Sequence, residues 1–507
     1  MRAGVILAAI LANPAFAEPV FVDRADGLPV RHIYAGGWEH FVGGGVAVFD
    51  CNADGRPDIF AAGGENPARL FVNATRAPGA PLTFAEGRTP DLAHVTGAYP
   101  LDIDGDGRLD LAVLRVGHDL LLRGGPDCTF TDASDAWGFH PRDGWTTAFS
   151  ATWEKGQEFP TLAFGHYVDR SNPDGPFEAC DTSDLYRPAG RGYGTAEVIA
   201  PGFCALSMLV TDWRRTGEPE LRISNDRHYY VRGGYEQMFR LTPLKERVED
   251  WKRVSLWGMG IASQDLTGDG LPEVMMTSMG DQLLQFNTGT GFINAPYSIG
   301  SYAQRPFTGD DGRPSTGWHA EFADVDNDGR MDLFIAKGNV DQMPSNAMRD
   351  PNNLLMQQPD GTFAERADVA GVDTTDRSRG AALADFDGDG RLDLVVVNRR
   401  APMELWQNVT LETGHWAGIE PQMAGNTRAI GAWLELRAGG RITAREVTVG
   451  GGHAGGQAGP LHFGLGSATR AEVRMIWPDG TTSDWTAVPV DCVTRLHPDG
   501  TALRLSP

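Results

Sequence analysis

The chain has 507 residues, with 44 Lys and Arg against 67 Asp and Glu, a formal net charge of −23, and 64 Gly beside 32 Pro. An acidic chain with no basic stripe excludes a nucleic-acid partner, and the turn-rich composition suits one large or a few ordinary globular domains. After the first seventeen residues no apolar run is long enough to cross a bilayer.

Residues 1–17 read as an export signal. Arg2 supplies the positive start, Val5 to Leu11 the apolar stretch and Ala15-Phe16-Ala17 the small-residue cleavage site. The mature chain is expected to begin at Glu18 and to be periplasmic or extracellular. Its first segment, Val20 to Asp26, reads as a short strand with no repeat unit before it. Trp38, His40 and Gly43 to Gly45 follow and read as tight packing before the first repeat.

Asp50 opens a nine-residue pattern that the chain writes five times. Oxygen side chains stand at the first, third, fifth and ninth places: Asp50, Asn52, Asp54 and Asp58; Asp102, Asp104, Asp106 and Asp110; Asp265, Thr267, Asp269 and Glu273; Asp324, Asp326, Asp328 and Asp332; Asp385, Asp387, Asp389 and Asp393. A glycine at the sixth place permits a sharp turn that gathers these oxygens. Carboxylates gathered in this way repel one another unless a hard cation sits among them, and calcium accepts such an all-oxygen shell. About five calcium ions are therefore expected, in a structural role. An EF-hand is excluded, because the twelfth place is held by Ala61, Val113, Met276, Ile335 and Val396 rather than by Glu. The β-branched runs after the ninth place, such as Asp-Leu-Val-Val-Val (393–397), read as buried strands, so each loop joins strand to strand.

Asp265 follows Asp102 after close to three of the other intervals, so two worn copies are expected there. One is Asp212 to Glu220, where Arg214 and Thr216 spoil the cation site. A fainter one is Ala151 to Phe159. Between them Cys180 and Cys204 bracket a Gly/Pro/Asp-rich insertion and are the best candidates for a disulfide among the five cysteines. His166, Tyr167, Asp169, Arg170, Asp226, Arg227, His228 and Tyr229 lie in or near these two copies. No two of them stand at ligand or triad spacing, so rim packing is preferred to a catalytic site. Seven repeat units in an all-strand chain predict an all-β, seven-bladed propeller over 18–408. The last unit lacks its outer strand after Met-Glu-Leu-Trp-Gln (403–407). Val20 to Asp26 matches Thr362 to Asp368 of the unit before, so residues 19–24 are expected to complete the last blade, with Phe21 in the place of Phe363.

Beyond Asn408 the acid loops vanish. Residues 409–507 read as a small second β domain with the signatures His-Phe-Gly-Leu-Gly (462–466) and Trp-Pro-Asp-Gly (477–480). His462, inside a Gly-rich turn, reads as a packed or hydrogen-bonded histidine.

The five loops resemble FG-GAP/VCBS repeats, the calcium-bearing blades of integrin α propellers. The tail, with Asn426 to Gly431 and the two signatures, resembles the ASPIC/UnbV domain. Together they resemble the cartilage acidic protein family and its bacterial relatives. That resemblance implies a secreted calcium-binding propeller without implying one activity. The expected function is binding, adhesion or scaffolding toward an extracellular glycan or protein. The alternative is an extracytoplasmic enzyme, polysaccharide-processing or oxidative, sited at the worn third and fourth units, or a biosynthetic role like that of UnbV relatives in enediyne pathways, for which no residue here speaks.

Overall fold

The computed structural model describes residues 17–173, 178–226, 233–302 and 313–505. The signal segment 1–16 and the candidates Arg227, His228 and Tyr229 lie outside the described residues. Among the described residues no helix is long and apolar enough to cross a membrane. The fold is all-β, as expected, and propeller-like.

Between residues 21 and 408 the strands form antiparallel four-stranded units in chain order. Their first strands are Val46–Phe49, Val95–Leu101, Gly144–Thr152, Ala205–Thr211, Gly258–Gln264, Gly317–Ala323 and Arg377–Ala384, each fully or almost fully buried. Each first strand lies beside the next, and Arg377–Ala384 lies back beside Val46–Phe49. A short pairing of Gly144 with Gly117 and of Trp145 with Val116 stitches the second and third units into one sheet. The insertion after His166 contributes Ser183–Tyr186 and Glu197–Ile199 as the outer strands of the third unit, although its sequence shows little strand periodicity.

The last unit has only three strands of its own. Phe21–Asp23 supplies the fourth, antiparallel to Glu404–Asn408, with Phe21 opposite Asn408. Phe363 is opposite Gln357 one unit earlier, Phe84 opposite Asn73 and Phe292 opposite Asn287. In every case a buried Phe opens the outer strand across from the last residue of the third strand. The match of Val20–Asp26 to Thr362–Asp368 therefore has the packing meaning expected of it. Pairing this strand covers a sheet edge that would otherwise present free N–H and C=O groups.

Residues 415–504 form two further four-stranded sheets, whose buried residues such as Ile419, Leu434 and Phe463 share one apolar cluster with Tyr99, Phe149 and Phe164 of the second and third units. Between them the chain leaves the small sheets and enters the ring. The strap Val449 to Ala458, sequence Val-Gly-Gly-Gly-His-Ala-Gly-Gly-Gln-Ala, passes along the first strands of successive units. Ala151 N–H donates to Val449 O, Gly451 N–H to Met208 O, Gly452 N–H to Ile261 O and His453 N–H to His319 Nδ1. Ala98 N–H then donates to Ala454 O and Val48 N–H to Gly456 O, and Gln457–Ala458 pairs parallel with Val48 and Phe49. Glycine is required on both sides of this contact. A Cβ on Gly45 or Gly97 would stand 1.8 or 1.7 Å from Ala454 O, and one on Gly455 would stand 2.2 Å from Val46 O. The space at the centre of the ring is thus filled by the chain's own backbone.

Candidate metal centres

Each acid loop joins the first strand of a unit to the second. The first strands run side by side in one sense around the ring, so the loops gather on one face. Local hydrogen bonding repeats from loop to loop. The first-place carboxylate accepts the N–H groups of the fourth to sixth places, as in Asp385 with Gly388, Asp389 and Gly390 at 2.8 to 3.0 Å. The fifth-place carboxylate accepts the seventh N–H, as in Asp328 with Arg330 at 2.8 Å. The ninth acid spans the unit. Asp393 takes Phe386 N–H on one oxygen and Asn408 N–H on the other, and Asp58, Asp110, Glu273 and Asp332 do the same in their own units. This acid therefore clamps the loop to the third strand besides facing the cluster, a role that nine-residue spacing alone does not reveal.

Three loops bring acids into contact distance. Oxygens of Asp102, Asp104 and Asp110, of Asp324, Asp326 and Asp332, and of Asp385, Asp387 and Asp393 lie within 4.8 Å of one another in each trio. These are the first, third and ninth places. The fifth-place acids Asp106, Asp328 and Asp389 turn to arginines, Arg123 at 3.0 Å from Asp106, Arg330 on Asp328 and Arg391 on Asp389, and Arg123 also reaches the third-place Asp104 at 2.9 Å. In the loop of Asp265, Asp269 and Glu273 the third place is Thr267, and no such trio of acids forms. In the loop of Asp50, Asn52 and Asp54 the gathered group is Asp58 with Cys51 and Cys128. Those two cysteines are joined in a disulfide, so their sulfurs are neither donors nor ligands there. That bridge, between the second place of one loop and the next unit, is absent from the expectations drawn from sequence. The expected Cys180–Cys204 bridge is present, and Cys492 is a buried free thiol.

The electrostatics favour a cation. Burial, with neighbouring carboxylates adding to it, pushes Asp58, Glu273 and Asp385 up to about 7 and Asp110 up to about 8. Asp324, Asp332 and Asp393, wholly buried, rise well above the usual carboxylate range for the same reasons. One buried oxygen of Asp104 and one of Asp326 have no hydrogen-bond partner. An all-oxygen donor set with orphaned buried oxygens fits a hard divalent ion and does not fit a soft one.

The worn copies are neutralised from within. In Asp212 to Glu220 the turn survives, with Asp212 accepting Thr216 N–H at 2.9 Å and Gly217 N–H at 2.6 Å. Guanidinium groups now face the ninth-place acid, Arg247 at 2.9 Å and Arg214 at 3.5 Å from Glu220. In the third unit Glu154 is held by Thr161 and Arg187.

The tail domain covers this face. Thr427 Oγ1 donates to Asp102 Oδ2, and Ala444 N–H reaches Asp265 Oδ2 at 3.3 Å. Gly414 N–H donates to Asp326 O at 3.0 Å and Gly466 N–H to Asn327 O at 2.8 Å. His462 Nε2 meets Asn327 Oδ1 at 2.6 Å while its ring stacks on Trp416, so it is hydrogen-bonded and packed as read. At the worn fourth unit Glu446 accepts Asp212 N–H at 2.8 Å, and Glu435 pairs with Arg215 at 2.6 Å.

The described residues weighed for catalysis, His166, Tyr167, Asp169, Arg170 and Asp226, stand at the strand ends away from the acid loops, and each is tied to a neighbour. His166 bridges Thr146 at 2.9 Å and Asp184 at 3.0 Å, Tyr167 Oη donates to Asp226 at 2.7 Å, Asp169 caps Ser171, and Arg170 pairs with Glu39 and Asp143. His40 is buried with its ring stacked on His94, and the Trp38 ring meets Trp145 edge-on.

Residues 50–113, 265–335 and 342–396 match the FG-GAP-like repeat, and residues 422–502 match the domain described as ASPIC and UnbV. Human cartilage acidic protein 1 is 27% identical over 164 residues, which are 31% of this chain and 24% of that protein. The Xenopus tropicalis protein of the same name is 26% identical over 238 residues, 44% of this chain and 34% of its own. The matched part thus spans about a quarter to a third of these relatives' length. Among solved structures, BBS1N in complex with ARL6DN has a TM-score of 0.45 and 11% identity over 75% of this chain and 94% of that one. An Agrocybe aegerita lectin recognising non-reducing terminal N-acetylglucosamine has a TM-score of 0.32 and 16% identity over 76% of this chain and 81% of its own.

Proposed function

We propose, for a chain that joins FG-GAP-like repeats to an ASPIC and UnbV domain and is distantly related to cartilage acidic protein 1, that it is an exported, calcium-stabilised seven-bladed propeller serving as a binding or scaffold module. The observation that carries this is the convergence of first-, third- and ninth-place carboxylates in three loops, with orphaned buried oxygens on Asp104 and Asp326. Calcium in these loops ties the first, second and third strands of a unit together, and its binding free energy adds to folding free energy. The two disulfides fit an oxidising compartment. With the loop face covered by the tail and the ring centre filled, the face around Trp38, 39% exposed, and the outer rim are the surfaces left for a glycan or protein partner. Ion counting on the mature protein under saturating calcium, with thermal denaturation before and after chelation, is the test. About five ions and a substantial fall in melting temperature on chelation are expected. Fewer than three bound ions overturn the reading.

A further inference from the structure

We propose that the metal centres are composite sites shared by the two domains, so that cation occupancy and seating of the C-terminal domain are one coupled equilibrium. This rests on the calcium reading above and adds to it Thr427 and His462 as positioning residues supplied by the second domain.

The C-terminal domain meets the loops through their own hydrogen-bonding groups and not merely by apolar contact. Thr427 donates to a first-place carboxylate that belongs to a gathered trio. Gly414 and Gly466 take the backbone carbonyls of Asp326 and Asn327, and His462 takes the side chain of Asn327, all inside a second trio's loop. A Cβ on Gly464 would stand 1.9 Å from Asp324 Oδ2, and one on Gly390 would stand 1.9 Å from Trp416 Nε1, so the domain fits only loops folded to this shape. At the fourth unit, where guanidinium groups stand by the ninth-place acid, the domain brings carboxylates instead, Glu446 to Asp212 N–H and Glu435 to Arg215. The domain's contacts thus change chemistry with the charge that each loop carries. An ion-free trio of buried acids with orphaned oxygens spreads to find water, and the surface to which Thr427 and His462 are fitted is lost. A ligand that stabilises one arrangement of the loops must then stabilise the seated domain, and the seated domain must raise affinity for that ligand by the same factor. The strap Val449 to Ala458 is the part of the domain deepest in the ring, so its backbone amides report seating.

Hydrogen exchange at residues 449–458 of the mature full-length chain, in calcium and after chelation, reads one direction of the coupling. Exchange about tenfold slower in calcium is expected. Calcium affinity of Thr427→Val and His462→Gln reads the other direction, and both are expected to bind calcium several-fold more weakly. Arg437→Ala, on the outward face of the second domain beside Glu472, serves as the control and is expected to bind as the parent does. If ion counting finds calcium while strap exchange is the same with and without it, the coupling is wrong and the calcium reading stands. An equal loss of affinity in Arg437→Ala means general loosening of the domain and also overturns the composite site. If no calcium binds at all, both readings fall together.

Discussion

Asp326 is 2% exposed and one of its carboxylate oxygens has no donor within reach. An ionised group so placed costs free energy until it is paired or protonated. The same strain acts on Asp58, Glu273 and Asp385, raised to about 7, and on Asp110, raised to about 8, burial being the main cause. At pH 7 the ion-free loops therefore hold protons that calcium, binding as proposed, would displace, and calorimetric titration in buffers of different ionisation enthalpy is expected to show proton release on binding. Folded-state values above those of the unfolded chain mean that these groups contribute stability to the ion-free protein that is fully present below about pH 4 and is lost as pH rises to 8. His453 and His462, lowered to about 3 by burial, act in the opposite sense between pH 6.5 and 3. Well above pH 6.5 both histidines are neutral whether folded or unfolded, so a change in the gap up to pH 8 comes from the acids. The gap in melting temperature between calcium and chelator is therefore expected to widen from pH 4 to pH 8, and a constant gap rejects the assignment. The pattern of acids was legible in sequence because a nine-residue turn is local. That the ninth acid bonds to the third strand was not, since that partner comes from outside the loop, and the spacing alone does not say that the fifth acid turns to an arginine, Arg330 and Arg391 from its own loop or Arg123 from outside it.

Phe21–Asp23 and the strap 449–458 show two sides of what an element owes to its surroundings. The first was readable because its sequence repeats that of another outer strand. Phe21→Ala is expected to cost about 3–5 kcal/mol in chemical denaturation, as for other buried aromatic truncations, and deletion of residues 18–26 to cause aggregation through the bared edge of Glu404–Asn408. A soluble deletion of unchanged stability refutes the closure. The strap was not readable. Its glycines look like turn punctuation, and what calls for them is first-strand backbone far off in sequence, Met208 O at 2.6 Å from a Cβ on Gly450 and Val46 O at 2.2 Å from one on Gly455, while Gly45 and Gly97 in turn leave room for Ala454 O. Gly97→Ala is expected to destabilise by about 1–3 kcal/mol, as overpacking does, and to raise hydrogen exchange at 449–458 more than at the outer strands. An unchanged strap rejects the contact.

On the scale of the whole molecule the two domains and the two disulfides form one unit. Cys51 and Cys128 are 77 residues apart in sequence and belong to neighbouring repeats, so only the ring brings their Cα atoms to 4.9 Å. Peptide mapping without reduction is expected to recover this bridge and Cys180–Cys204, with Cys492 free. Loss of Cys51–Cys128 by paired serine substitution is expected to cost about 2–5 kcal/mol. Free thiols at all four positions in native material contradict the fold as described.

The hydrogen bond from Val20 N–H to Thr410 Oγ1 spans 390 residues of chain. At a synthesis rate of about 5–20 residues per second, the strand made first waits roughly 20 to 80 s for the partner that covers it. During that interval the nascent chain holds an unmatched β segment at one end and an unfinished sheet at the other, each a template for pairing with a neighbour. The strap comes later still, so the centre of the ring stays hollow until after the ring can shut. Order of emergence, rather than the energy of any one contact, thus sets the hazard for this architecture. Its long-range pairings make it a slow folder with a premium on holding the chain open until its last third is available.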